Sequence, residues 1–203
     1  MLTVGVTGGI ACGKSLVGSF LKRRGYPVCE SDQLAHEAIE PGEPAYQEIV
    51  DAFGSEILDS TGAIDRGLLG KRVFANAVER EKLNAIVHPR VRQAWKAWMA
   101  DQRARGDAAV VIVPLLYEVG AEREFDVVVC VSAPESEQLA RLAGRGLTET
   151  EARARIAAQM GVEEKSGRAD YTIVNDDSEA VLEEKTWEVM DNILESRNGN
   201  EKQ

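Results

Sequence analysis

Aromatic residues make up only 5% of the chain, and Cys, with three copies, and His, with two, are scarcer still. Cys12, Cys29 and Cys130 are odd in number, show no C-x-x-C spacing, and two of them lie in strand-like apolar runs. That pattern argues against a disulfide framework or a zinc site and fits a reducing compartment, so a cytoplasmic location is expected. No run approaches the roughly 18 consecutive apolar residues of a membrane-crossing helix. The opening stretch MLTVGVTGG has neither the basic start nor the length of a secretory signal. Positive charge is in deficit, with 24 Lys and Arg against 34 Asp and Glu, a formal net charge of −10 at pH 7. Such a field repels nucleic-acid backbones, so no nucleic-acid partner is expected and any anionic ligand must be gripped by a few locally placed cations.

What is present suits one sizeable core with appendages: 203 residues, 44% of them hydrophobic. Short β-branched runs recur, at LTVGV (2–6), YPVCE (26–30), AVVIV (109–113), DVVVCV (126–131) and YTIV (171–174). Near-continuous apolar strands alternating with helical patterns predict an α/β fold whose five-stranded parallel sheet is flanked by helices on both faces. The first helix is expected over Lys14–Arg24, with Leu16, Val17, Phe20 and Leu21 inward and Gly25 ending it. The insertion of about 75 residues between the second and third strands reads as mostly helical. Within it Leu83, Ile86, Val87, Val91, Trp95 and Trp98 trace an apolar stripe that Pro89 should interrupt, leaving His88 at a break or kink. After the fourth strand, ESEQLARLAGRG predicts a short helix closed by Gly146, and Thr148 to Glu151 has capping-box spacing for the next. Arg141 and Arg145, four apart, are expected to project from one helix face.

The stretch TGGIACGKSL, positions 7 to 16, follows the first strand and opens the first helix. Gly8, four residues, then Gly13-Lys14-Ser15 match the P-loop pattern G-x-x-x-x-G-K-S/T. Glycines let the backbone curl around an anion, and the exposed N–H groups add to the positive helix terminus. Gly8, Gly9, Ile10, Ala11, Cys12, Gly13, Lys14, Ser15 and Leu16 are thus expected around nucleotide phosphates. Lys14 would reach the β- and γ-phosphates, and Ser15 would bind magnesium. A dinucleotide-binding turn fits less well, because a lysine follows the last glycine and only Glu30 could serve the ribose. A GTPase switch also fits poorly: the DxxG at Asp59–Gly62 reads as a turn in the insertion, and Asn175-Asp176-Asp177 lacks a guanine-reading lysine.

A P-loop alone leaves hydrolysis, switching and transfer open. Asp32 follows the second strand, near the carboxyl edge where open α/β sheets bind ligands. A carboxylate there could orient an acceptor hydroxyl, take its proton or hold magnesium through water, or merely cap a helix beginning near Gln33. Arg141 and Arg145, in a charged segment with little hydrophobic anchoring, suit a lid that closes over the phosphates and keeps water from competing with the acceptor.

TGGIACGKS, ESD at 30–32, LAH at 34–36, PGEPAYQEIVDAFG at 41–54 and IDRGLLGKRVF at 64–74 together resemble the dephospho-CoA kinase family. AIVHP at 85–89, VPLLYE at 113–118, the Arg141 and Arg145 pair, Gln159 and ADYTIVND at 169–176 continue the likeness in order. The resemblance implies ATP-dependent phosphorylation of the ribose 3′-hydroxyl of dephospho-CoA, the last step of coenzyme A synthesis, with magnesium. It implies a P-loop core in residues 1–33, 107–134 and 166–196, a helical substrate-binding domain in 34–106, a lid in 135–165 and a disordered tail over 197–203. It makes Asp32 the catalytic carboxylate, Lys14 the phosphate ligand, and Arg141 and Arg145 the lid cations, with Asn175 beside the nucleotide. His36, Arg66, His88 and the turn containing Pro114, Leu115, Leu116 and Glu118 fall where the family lines its acceptor pocket. The chain departs from the family at Glu30-Ser31-Asp32, usually Asp-Ala-Asp, at Leu16, usually threonine, and at Cys12, commonly serine. Small-molecule substrates, no membrane and a monomer are expected, with a small homo-oligomer as the alternative. A kinase for another small acceptor, such as a nucleoside monophosphate, and a non-catalytic nucleotide switch are the competing functions.

Overall fold

The computed structural model describes residues 1–102 and 106–200 and divides into two compact units, Met1–Cys29 with Asp101–Gln203, and Glu30–Ala100. The first unit carries the sheet: β1 (Leu2–Gly8), β2 (Val28–Glu30), β3 (Ala108–Ile112), β4 (Val127–Ser132) and β5 (Tyr171–Val174). The strands form one parallel sheet in the order β2-β3-β1-β4-β5. Val6 lies opposite Ile112 on one side and Val129 on the other. From Val4 to Gly8, and along the whole of β3, every residue is buried, which is why these runs are continuously apolar. Because β2 and β3 lie to one side of β1 and β4 and β5 to the other, the sheet switches direction at the carboxyl end of β1, the position where such sheets take ligands.

α1 (Lys14–Arg23) and α9 (Glu179–Asn200) cover the sheet, placing Val17, Phe20 and Leu21 with Leu182, Met190 and Ile193 against Val4, Val110, Val129 and Ile173. α1 ends in a glycine stop. Gly25, at φ 92, lets its own N–H reach Lys22 O (3.0 Å) and that of Tyr26 reach Leu21 O (3.0 Å). Tyr26 is thereby tied to the helix end, and Pro27 has no N–H for a ladder, so β2 is only three residues long rather than five. α9 continues to Asn200, so residues 197–200 of the expected tail are helical, while 201–203 lie outside the described residues.

α6 (Glu135–Ala143), α7 (Glu149–Ala157) and α8 (Val162–Arg168) follow β4. The capping box is present: Glu151 N–H donates to Thr148 Oγ1 (3.3 Å), and Thr148 N–H donates to Glu151 Oε2 (2.9 Å). α6 stops at Ala143, two residues short of Arg145, so Arg141 and Arg145 do not share a helix face. Among the described residues, no helix is long and apolar enough to cross a membrane.

The second unit is helical: α2 (Ser31–Glu37), α3 (Pro44–Phe53), α4 (Arg66–Ala75) and α5, which begins at Ala77 and runs to Gln102. Its core gathers Ala45, Ile49 and Phe53 with Ile57, Ile64 and Leu69, and Leu83, Ile86 and Val87 of α5 pack on it. Pro89 does not break α5, which passes through it without interruption. The Arg90 guanidinium donates to Ile86 O (2.8 Å) beside the proline and pairs with Glu48, so side-chain donors and flanking apolar contacts carry the helix across the missing main-chain bond. Past the proline the buried positions are Val91, Trp95 and Met99, spaced by four, whereas Trp98 is half-buried. The DxxG stretch is a local turn: the Asp59 carboxylate accepts from Thr61 N (2.8 Å), the Thr61 hydroxyl (2.6 Å) and Ala63 N (3.1 Å).

Candidate active site

Residues 9 to 13 connect β1 to α1, and their conformation depends on glycine at both flanks. Gly8 has φ 144, and a Cβ there would sit 2.0 Å from Val131 O. Gly13 has φ 101, and its Cβ would meet Asn175 Nδ2 at 2.3 Å. Between them Ala11 adopts φ 59, the one positive φ outside glycine among the described residues. Such a residue persists only where its surroundings over-determine it. They do so here: Ala11 O accepts from Arg141 Nη1 (3.1 Å), Cys12 O from Asn175 Nδ2 (2.8 Å) and Cys12 Sγ from Gln138 Nε2 (2.8 Å). Ile10 N–H donates to Gln159 Oε1 (3.1 Å).

The mouth of this loop is electropositive. α1 starts at Lys14 with no side-chain cap and no acidic residue in its first turn, so its first N–H groups and the helix dipole face outward. Lys14 Nζ folds across the loop, donating to Gly8 O (2.9 Å) and Gly9 O (2.7 Å). Ser15 and Leu16 are exposed beside it. A cradle with no room for side chains, uncapped amides, an ammonium at its rim and one exposed hydroxyl fit a polyphosphate and a hard cation such as magnesium.

Two of the residues expected near the nucleotide brace the loop itself. Asn175, 5% exposed, has its amide engaged with the Cys12 carbonyl, so it holds the loop from behind. Arg141 is tethered there too, through Ala11 O, Asn175 O (3.3 Å), Asn175 Oδ1 (3.3 Å) and Glu137 (3.4 Å). Arg145 is exposed in the turn after α6, without a partner among the described residues. Cys12 is a fully buried free thiol. Gln138 was not anticipated. Its only sequence signal is an amide on the inward side of a helix otherwise charged and apolar.

The turn after β3 is a second ordered region of the same unit. Pro114 O accepts from Thr7 Oγ1 (3.3 Å) and from Lys165 Nζ (2.7 Å). Lys165 Nζ also pairs with Glu118 Oε1 (2.8 Å), an oxygen that accepts from Met160 N as well (3.0 Å). Leu116 is 0% exposed and belongs to the core, while Leu115 is half-buried. Tyr117 lies under the Arg168 guanidinium (4.3 Å to the ring centre), and burial pushes its phenol up to about 12. Lys165 gave no sign of its role in sequence, standing in the charged run EEKSGR.

In the helical unit, Asp32 is exposed in the first turn of α2. The cap position is Glu30, and its side chain makes no capping bond, so Asp32 is not the N-cap that the competing reading allowed. Among the described residues its carboxylate has no hydrogen-bond or ion-pair partner. His36 is exposed in the last turn of α2. Arg66 is exposed as the first residue of α4, whose cap is Asp65, accepting from Gly67 N (2.8 Å) and Leu68 N (3.0 Å). His88 is half-buried within α5, and burial lowers its pKa.

A parallel sheet in this order, with a lysine-bearing glycine loop at its switch point and an uncapped helix end behind that lysine, defines a P-loop kinase architecture. Residues 2–180 match the family model for dephospho-CoA kinase. The chain belongs to the dephospho-CoA kinase family. A dephospho-CoA kinase of Anaeromyxobacter dehalogenans (strain 2CP-C) is 49% identical over 177 residues, 86% of this chain and 84% of that one. One of Thermobifida fusca (strain YX) is 42% identical over 201 residues, 97% of this chain and 100% of the relative. The solved structure of dephospho-CoA kinase from Campylobacter jejuni superposes with TM-score 0.72 at 28% identity, over 96% of this chain and 98% of that one.

Proposed function

We propose that this protein transfers the terminal phosphoryl group of ATP to the ribose 3′-hydroxyl of dephospho-CoA, giving coenzyme A and ADP. The observation that carries the reading is the uncapped, Lys14-rimmed cradle between Gly8 and Gly13, in a chain matched to the family over residues 2–180. Gly9, Ile10, Ala11, Cys12 and Gly13 lend the loop its backbone, and Lys14 holds the β- and γ-phosphates once they replace the carbonyls it now contacts. Magnesium, when bound, neutralises polyphosphate charge, and Ser15 is the residue that would hold it.

Asp32 supports the acceptor role because its carboxylate is exposed and unengaged, free to orient the attacking hydroxyl and receive its proton. His36, Arg66 and His88, in the helical segment 34–106, and the Pro114 to Glu118 turn are the groups this reading assigns to dephospho-CoA. For Leu116 and Glu118 that assignment rests on backbone atoms and on the carboxylate oxygen not paired with Lys165. Residues 135–165 act as the lid, where Arg141 exchanges Ala11 O for phosphate oxygens and Arg145 swings in from its exposed turn. A cytoplasmic location belongs to the same reading, supported by three free buried cysteines, as does a monomer, with a small homo-oligomer as the alternative.

Measuring ADP release with ATP and magnesium, with and without dephospho-CoA, tests it. Release should depend on the acceptor. Equal release without it would mean a hydrolase or switch, and release only with a nucleoside monophosphate would mean a different kinase.

A further inference from the structure

Lys165 is 0% exposed, and a buried ammonium costs free energy that a methionine of similar length would not. Stability therefore does not account for a lysine at this position; the directions of its bonds do. Lys165 Nζ donates to Pro114 O (2.7 Å) and Glu118 Oε1 (2.8 Å). That carboxylate oxygen also receives Met160 N (3.0 Å), and the adjacent Gln159 Oε1 receives Ile10 N of the phosphate loop (3.1 Å). On the other side, Pro114 O receives Thr7 Oγ1 (3.3 Å), at the end of β1 just ahead of that loop. The bonds close a ring, from Thr7 through Pro114, Lys165, Glu118 and the Gln159–Met160 link back to Ile10. The Lys165 ammonium is the one member that joins the turn after β3 to the start of α8 by two charge-assisted or polar contacts at once.

We propose that Lys165 is a positioning residue for phosphoryl transfer, keeping the phosphate loop and the Pro114 to Glu118 turn in a single register. The inference rests on the functional reading above, in which that turn meets the acceptor. A misplacement of about 1 Å can lower transfer a hundredfold without altering the reacting groups. Loss of register should also leave the bound triphosphate open to water, so the ratio of hydrolysis to transfer rises.

The test is Lys165→Met, with Glu118 kept because the reading above gives it to the acceptor; its carboxylate, 23% exposed, still receives Met160 N and reaches water, so no buried ion is left unpaired. Thermal melting and ADP release with and without dephospho-CoA are measured on the full chain. The expected result is a melting temperature near that of the parent, transfer reduced by about tenfold or more, and a raised ratio of acceptor-independent to acceptor-dependent release. A smaller folded fraction lowers both rates equally, so the ratio separates positioning from mere support. An unchanged ratio with parental transfer overturns the inference and leaves the kinase reading standing. A parent protein without acceptor-dependent release defeats the kinase reading instead. Should Lys165→Met not fold, Gln159→Leu, which removes only the oxygen that receives Ile10 N, decides by the same ratio: raised supports the ring, parental refutes it.

Discussion

At Gly8 the distance from a built Cβ to Val131 O is 2.0 Å, and the partner is main chain of β4, which cannot swing aside as a side chain could. Gly8→Ala combines that clash with a disfavoured positive φ, so a loss of about 2 kcal/mol or more is expected in urea denaturation, together with loss of ATP binding by titration. Asp32→Asn is the opposite kind of change, isosteric at an exposed site with no partner. Turnover should drop by about a hundredfold or more while ATP affinity stays within a few-fold, measured as kcat against a nucleotide titration. Unaltered turnover would remove Asp32 from the chemistry. His88 is held below its ordinary 6.5 by burial. Above that pH both folded and unfolded states are neutral; below it the unfolded chain takes up the proton first, so this group's share of stability is lost as pH falls from 6.5 through the lowered value. His88→Gln should flatten that acid-side decline in denaturation curves taken at successive pH values, leaving neutral-pH stability nearly unchanged.

The capping box of α7 gives the clearest test at the level of an element. Thr148→Ala removes the acceptor for Glu151 N and the hydroxyl donor to Glu151 Oε2, leaving only the backbone half of the box, and should destabilise the chain by about 1 kcal/mol in urea, with helix loss by circular dichroism confined to a few residues. This box was legible because its residues lie three apart, as were the glycine stop of α1 and the strands, whose burial on both faces leaves an uninterrupted apolar run. Features decided by distant partners were not. Pro89 signals a break when read locally, but packing of Ile86 and Val87 and the Arg90 guanidinium keep α5 intact. Met99 rather than Trp98 continues the buried face past it, a difference of one residue that periodicity alone does not separate. The P-loop, with Lys14 and Ser15, was readable from spacing. The Gln138, Asn175 and Arg141 contacts that hold it come from segments 120 or more residues away, and no local pattern announces which loop they grip.

Across the whole molecule, a net charge of −10 means that binding of anions depends on a few well-placed donors rather than on a general attraction. ATP at 100 times its dissociation constant should stabilise the folded chain by about 2.7 kcal/mol, seen as a rise in melting temperature. Lys14→Ala should abolish most of that rise along with the rate, and a full shift retained in the variant would contradict the loop's role. The glycine loop of residues 8–15 is synthesised well before Asn175, which bonds Cys12 O across 163 positions of sequence. During synthesis, then, β1 leaves the ribosome without its neighbours β3 and β4 and without the amide that locks its loop. A nascent chain halted before β5 has the nucleotide motif without the amide that braces it, so ATP should bind such a chain more weakly than one that has passed residue 175.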